Sequence, residues 1–325
     1  MVQHQELRTW EITELPPGQM VIGCQWVYAI KTKPDGKFEK TKARIVAQGF
    51  ILRPGMDYYE ITSLVVKFNS LWVLLAIANT LDWEIEMIDI KGTYLNSNLE
   101  EEIYMRQPDG FDDGSGRVLK LQRALYGLKQ SGRTWHQCLR GLLLSLGFHQ
   151  SMADECVYIR QNKDSIEVIS IYVDDFGLFA DSKARMSKLK EELHTKFPMT
   201  ELGEMKKILG IRIERDREHG TLTISQGHYI DIILVQFNMT TAHSVSTPLH
   251  TTGKLTAPSD WSGPSTDVPY AKAIGLLMYA ALSTWPDLAF TVQHLSQFTT
   301  TYGAEHWTAI KHALRYLFWN RWTKL

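Results

Sequence analysis

Three aspartates carry the chemistry that the residue types of this chain allow. Asp174 and Asp175 are adjacent, set between the runs Ile169-Ser170-Ile171-Tyr172-Val173 and Phe176-Gly177-Leu178-Phe179-Ala180. β-Branched and aromatic residues on both sides read as buried strands. Asp is tolerated at turns, so the stretch reads as a tight hairpin. Two like charges held together are costly, and a divalent cation bound by oxygen ligands is the usual compensation. The pair alone fits equally well a hairpin whose tip points to solvent. A third carboxylate tips the balance: the strand-like run from Trp83 to Tyr94 delivers Asp89.

The elements that must position these groups follow in order. Gln25–Ile30 and Lys42–Ala47 read as paired strands around a Pro34-Asp35-Gly36 turn. Asn69 or Ser70 caps a helix through Trp72, Leu75 and Ala78. Trp135, Leu139, Leu142, Leu143 and Leu146 form the apolar stripe of a second helix. Val157–Ile159 and Ile166–Val173 read as a strand pair, and Met186, Leu189, Leu193 and Phe197 as a helix on the sheet. Ile208–Ile213 and Thr221–Gln226 make a hairpin, and Tyr229–Phe237 a helix. Thr247 to Pro269 is rich in Ser, Thr, Pro and Gly and reads as a linker before two helical patterns.

At 325 residues the chain is long enough for two or three domains. Its 35 Lys and Arg balance 36 Asp and Glu, so net charge is silent about nucleic acid. Distribution says more. Lys31, Lys33, Lys37, Lys40, Lys42, Arg44 and Arg53 form a basic stretch that suits phosphate contacts, or simply a solvated hairpin face. Cys24, Cys138 and Cys156 have no paired spacing, which predicts a reduced, intracellular chain without a zinc site. No segment reads as a membrane span or a signal peptide.

Tyr172-Val173-Asp174-Asp175 has the x-x-Asp-Asp form of reverse transcriptases, and with Asp89 it resembles their catalytic triad. Trp26-Val27-Tyr28, Asp35-Gly36, Lys42 to Phe50 and Asp57-Tyr58 resemble the fingers of the reverse transcriptase of Ty1/copia-type retrotransposons. Leu125-Tyr126-Gly127-Leu128-Lys129-Gln130-Ser131-Gly132-Arg133-Thr134-Trp135 resembles the nucleotide- and template-positioning motif of that family. The resemblance spans nearly the whole chain in the family's motif order.

The resemblance implies an α+β right-hand polymerase fold. Residues 1–245 would be the reverse transcriptase, with fingers near 20–70, a palm near 71–215 and a thumb-like segment near 216–245. Residues 246–270 would be a linker, and 271–325 a truncated helical connection toward an absent ribonuclease H domain. It implies an RNA-directed DNA polymerase that holds two Mg²⁺, or Mn²⁺, between Asp89, Asp174 and Asp175. Its implied partners are an RNA template, a DNA or RNA primer, their hybrid and deoxynucleoside triphosphates, in the cytoplasm or nucleus and away from membranes. Lys42, Arg44, Tyr94, Gly127, Lys129 and Gln130 would meet the nucleotide, and Leu209, Gly210 and Ile211 the primer end. Gly127 would let backbone approach a bound strand, with cations from Lys129 and Arg133. Tyr94 would be the aromatic gate beneath the incoming sugar. The only acidic residues after Pro248 are Asp260, Asp267, Asp287 and Glu305, which predicts no ribonuclease H cluster.

Trp72 and Trp285 stand where the family would have Arg, and Gly132 where it would have Pro. An Arg codon becomes a Trp codon by one transition, so the alternative readings are a catalytically inactive remnant and a non-enzymatic module that kept the fold and only binds nucleic acid.

Overall fold

The computed structural model describes residues 1–32, 38–55, 57–58, 64–163, 165–250, 255–257 and 268–325. The Pro34-Asp35-Gly36 turn, Lys33, Lys37, Asp260 and Asp267 lie outside the described residues. The chain has a mixed α+β build in two compact units: Met1–Leu74 with Trp83–Glu204, and Leu75–Asp82 with Met205–Leu325.

The first unit centres on a six-stranded antiparallel sheet. Its strand order is Met199–Glu204, Glu84–Ile90, Asp175–Ala180, Ser165–Tyr172, Val157–Asn162 and His149–Gln150. Ile88, Ile169, Phe176, Leu178 and Phe179 are fully buried in it, which explains why these strands read as continuous apolar runs. Helices Ser131–Ser145 and Lys183–His194 bury Trp135, Leu139 and Leu143, and Met186, Leu189 and Leu193. Those are positions of the stripes that helical spacing predicts.

A two-stranded ribbon, Cys24–Thr32 with Phe38–Ala47, belongs to the same unit. Its base shares a core with Ile22, Leu52, Leu95, Met105, Leu119, Leu125 and Leu128. Trp10–Thr13 pairs with Val118–Leu121, within a mostly polar N-terminal stretch. Four residues with no alternation of burial leave no periodic signal there.

In the second unit a three-stranded sheet, Lys207–Ile208, Ile211–Asp216 and Thr221–Ser225, precedes the helix Gly227–Gln236. Ile230, Ile233 and Leu234 of that helix share one core with Leu277, Leu288, Leu314 and Leu317. The expected thumb-like segment and the expected connection therefore lie in one compact unit. Three helices, not two, follow residue 269: Tyr270–Ser283, Ala289–Ser296 and Ala304–Asn320. Pro286 opens a short 3₁₀ turn that separates the first two. Trp285 is buried in this core with its ring edge-on to Tyr316, so a large apolar side chain fits the position. Trp72 stacks on Phe68 within the helix Phe68–Thr80. Among the described residues no helix is long and apolar enough to cross a membrane.

Candidate active site

Tyr172 pairs with Asp175, so Val173 and Asp174 alone make the hairpin loop. Two-residue hairpin loops require positive φ. Val173 supplies it at φ +56°, an uncommon and strained conformation for a β-branched residue. The loop is held from two sides. Trp135 Nε1–H donates to the carbonyl of Val173 at 3.2 Å, and the N–H of Ile90 donates to the carbonyl of Asp174 at 3.0 Å. Asp174 therefore stands at the tip, whereas Asp175 is the first residue of the return strand, directly opposite Asp89.

Asp89 and Asp174 line one cleft of about 430 Å³, together with Lys42, Arg44, Tyr126 and Thr200. Lys40, Lys42 and Arg44 alternate along the Phe38–Ala47 strand, so the pleat sends their side chains to one face. All three line the cleft, which brings cations and carboxylates into one space. The Arg44 guanidinium lies 5.2 Å from the centre of the Tyr126 ring. The Tyr126 hydroxyl donates to Asp174 Oδ2 at 3.2 Å. Tyr94 meets the same ring edge-on at 4.7 Å. Gly92, at φ +62°, starts the 3₁₀ turn Thr93–Asn96 that carries Tyr94. The Asn96 side-chain amide donates to the carbonyls of Lys91 and Gly92, both at 3.1 Å, and fixes that turn.

Burial, and secondarily the negative charge of Asp174, raises the hydroxyl pKa of Tyr94 and of Tyr126. Both stay protonated donors at neutral pH. His4 reaches the same cleft from the short helix Val2–Glu6. Its pKa is lowered to about 4, by burial first and then by the charged N-terminus.

Asp174 Oδ1 is buried and has no hydrogen-bond partner. A buried anionic oxygen without a donor is expensive unless a cation meets it, so the position fits a divalent metal. Among the described residues no three His, Cys, Asp or Glu side chains form a ready-made metal cage. Mg²⁺ needs none: it is held by one or two carboxylates and completed by phosphates and water. Asp89 and Asp174 suit that role. Asp175 is not among the residues that line the cleft.

The other expected nucleotide contacts are dispersed. Lys129 is exposed and does not line the cleft. Gln130 is fully buried, and neither atom of its side-chain amide has a partner. Gly127 packs against the Phe38–Ala47 strand: at φ +92°, an added Cβ would stand 2.0 Å from the carbonyl oxygen of Ala47. Leu209 and Gly210, at φ +52° and +77°, form the hairpin loop before Ile211 in the second unit. The Tyr279 hydroxyl donates to the Leu209 carbonyl within that unit. Tyr126 is the residue that sequence reasoning passed over. It sits between the motif's glycine and its leucine, and only its hydroxyl-bearing ring signalled it.

Residues 7–251 match the family described as reverse transcriptase (RNA-dependent DNA polymerase). The chain is 40% identical over 317 residues to the retrovirus-related Pol polyprotein from transposon TNT 1-94 of Nicotiana tabacum, covering 95% of this chain and 24% of that protein. It is 36% identical over 312 residues to the corresponding polyprotein from transposon RE2 of Arabidopsis thaliana, covering 95% and 21%. A putative transposon Ty5-1 protein of Saccharomyces cerevisiae is 30% identical over 237 residues, covering 72% of this chain and 76% of that protein. The chain thus spans less than a quarter of the length of the two plant polyproteins (24% and 21%). With its carboxylate hairpin and its motifs in order, the chain belongs to the reverse transcriptase family, in the Ty1/copia-type retrotransposon Pol lineage.

Proposed function

We propose that this chain adds deoxynucleotides to a primer 3′-OH under the direction of an RNA template. The observation that carries the reading is one cleft lined by Asp89 and Asp174 together with Lys40, Lys42 and Arg44. Two Mg²⁺ or Mn²⁺ ions, when bound, would activate the 3′-oxygen and neutralise the leaving pyrophosphate. Asp89 and the unpartnered Oδ1 of Asp174 would hold them, with Asp175 supporting Asp89 from the neighbouring strand. Lys42 and Arg44 would bind the triphosphate and orient its phosphorus for in-line attack. The Tyr94 ring would exclude a ribose 2′-OH by steric collision and accept deoxyribose.

In this reading residues near 20–70 act as fingers, those near 71–215 as the palm, and those near 216–245 as a thumb-like segment. Leu209, Gly210 and Ile211 contact the primer end, and the helices of residues 271–325 act as the connection. The duplex product is an RNA–DNA hybrid, made in the cytoplasm or the nucleus. Extension of a labelled primer on an RNA template, with deoxynucleoside triphosphates and Mg²⁺, tests the reading. Template-dependent products one nucleotide apart are expected, and their absence from the folded chain would overturn it.

A further inference from the structure

We infer that Tyr126 is a positioning residue that presents Asp174 to the catalytic cation. The inference rests on the metal-binding reading of Asp89 and Asp174 given above.

The backbone of Asp174 is fixed by the bond from Ile90 and by the Trp135–Val173 bond one residue away. What remains free is rotation of its carboxylate. The Tyr126 hydroxyl occupies Oδ2 at 3.2 Å, long for an O–H···O bond, and leaves Oδ1 as the buried oxygen without a donor. One oxygen is therefore held by protein and the other is left for a cation. This is the division that partners behind a metal ligand impose.

Tyr126 is itself fixed on three sides. Its carbonyl accepts the N–H of Ala47 at 2.8 Å. Tyr94 meets its ring edge-on, and the Arg44 guanidinium lies over its face. The same side chain thus touches both the cation of Arg44, through its ring, and the carboxylate of Asp174, through its hydroxyl. An arginine drawn onto Asp174 would form a bidentate pair and take the oxygens that a metal needs. Holding Arg44 on the ring face by cation–π attraction keeps the two apart. One side chain then serves both halves of the cleft.

The test is Tyr126→Phe, which removes the hydroxyl and keeps the ring. Free Mn²⁺ is counted by electron paramagnetic resonance as it is titrated into the chain bound to an RNA–DNA primer–template. The primer end is dideoxy-terminated, and the next deoxynucleotide is present. Tyr126→Phe is expected to weaken Mn²⁺ binding about tenfold. The Mg²⁺ concentration for half-maximal extension should rise by a similar factor, with the nucleotide KM at saturating metal unchanged. Wild-type Mn²⁺ affinity in Tyr126→Phe, with Asp174→Asn having lost it, would overturn the inference alone. Wild-type affinity in Asp174→Asn would overturn the metal reading and the inference with it. If Tyr126→Phe fails to fold, the residue is structural and the inference is overturned.

Discussion

The carbonyl of Asp174 accepts a hydrogen bond from the N–H of Ile90 at 3.0 Å. The hairpin tip is thereby tied to the residue that follows Asp89, and two carboxylates 85 positions apart in the chain reach one cleft. Neither strand provides this alone. The sheet register that sets Asp175 opposite Asp89 continues into the bond, so any slip of register would separate the acids.

Tyr94→Val should raise ribonucleotide incorporation tenfold or more, about 1.4 kcal/mol of lost discrimination. Single-nucleotide incorporation of matched ribo- and deoxynucleotides measures it. Unchanged selectivity would mean that the Tyr94 ring, although it packs on Tyr126, does not meet the sugar.

Gly127→Ala should cost more stability than Gly110→Ala. Both glycines have positive φ, +92° and +80°, so both variants bear the same kind of backbone strain. Only at Gly127 does the new Cβ meet a backbone atom, the Ala47 carbonyl, whose strand must then move. Urea unfolding should show an excess loss of about 1–3 kcal/mol for Gly127→Ala. Equal losses would show that the loop can shift freely away from that strand.

Arg160→Met should destabilise the first unit by about 3 kcal/mol. Arg160 grips Glu167 through Nε at 2.6 Å and Nη2 at 3.0 Å, and Glu192 through Nη1 at 2.8 Å. Glu167 is almost wholly buried, so removing the guanidinium strands a charge. Adding Glu167→Leu should recover part of the loss. A single-variant cost below about 1 kcal/mol would place the pair among ordinary surface bridges.

Acid should weaken the second unit through His306. Its Nδ1 accepts the N–H of Gly303 at 3.1 Å, a bond that only the ring unprotonated at Nδ1 can make. Burial lowers its pKa below 6.5, against a partial opposing pull from Glu305. The unfolded chain therefore takes up a proton below 6.5 that the folded chain refuses, and the stability gained above that pH is lost as pH falls through it. Between about pH 7.5 and about pH 5, the wild type should lose more melting temperature than His306→Gln. Parallel losses would show that His306 is not the group responsible.

The palm-like sheet was legible because its strands carry long apolar runs and its hairpin carries charge where charge is costly. Asp89 and Asp174 were readable from type and spacing, Lys42 and Arg44 from the family resemblance, and all four line one cleft. Gln130 was not readable. A polar residue in a motif suggests exposure, but this one heads a helix whose first turn is buried, and it went inside with it. Gly127 was readable only in part: glycine signals close approach without saying to what, and one such approach is to Ala47. Tyr126 was hidden because its role depends on three partners, Arg44, Tyr94 and Asp174, that only tertiary structure assembles. Two helical patterns after the linker became three helices because Pro286 opens a 3₁₀ turn that divides Tyr270–Ser283 from Ala289–Ser296.

Primer extension by Asp174→Asn, beside wild type and Asp89→Asn, tests the central claim most directly. The chain is given an RNA template, a labelled DNA primer, deoxynucleoside triphosphates and Mg²⁺, and hybrid binding is measured in parallel. Each substitution should cut the extension rate at least about a hundredfold, as the loss of several kcal/mol of transition-state stabilisation requires. Hybrid binding should stay near the wild-type level, since neither carboxylate attracts phosphate. Extension by Asp174→Asn at a rate close to wild type would contradict the account.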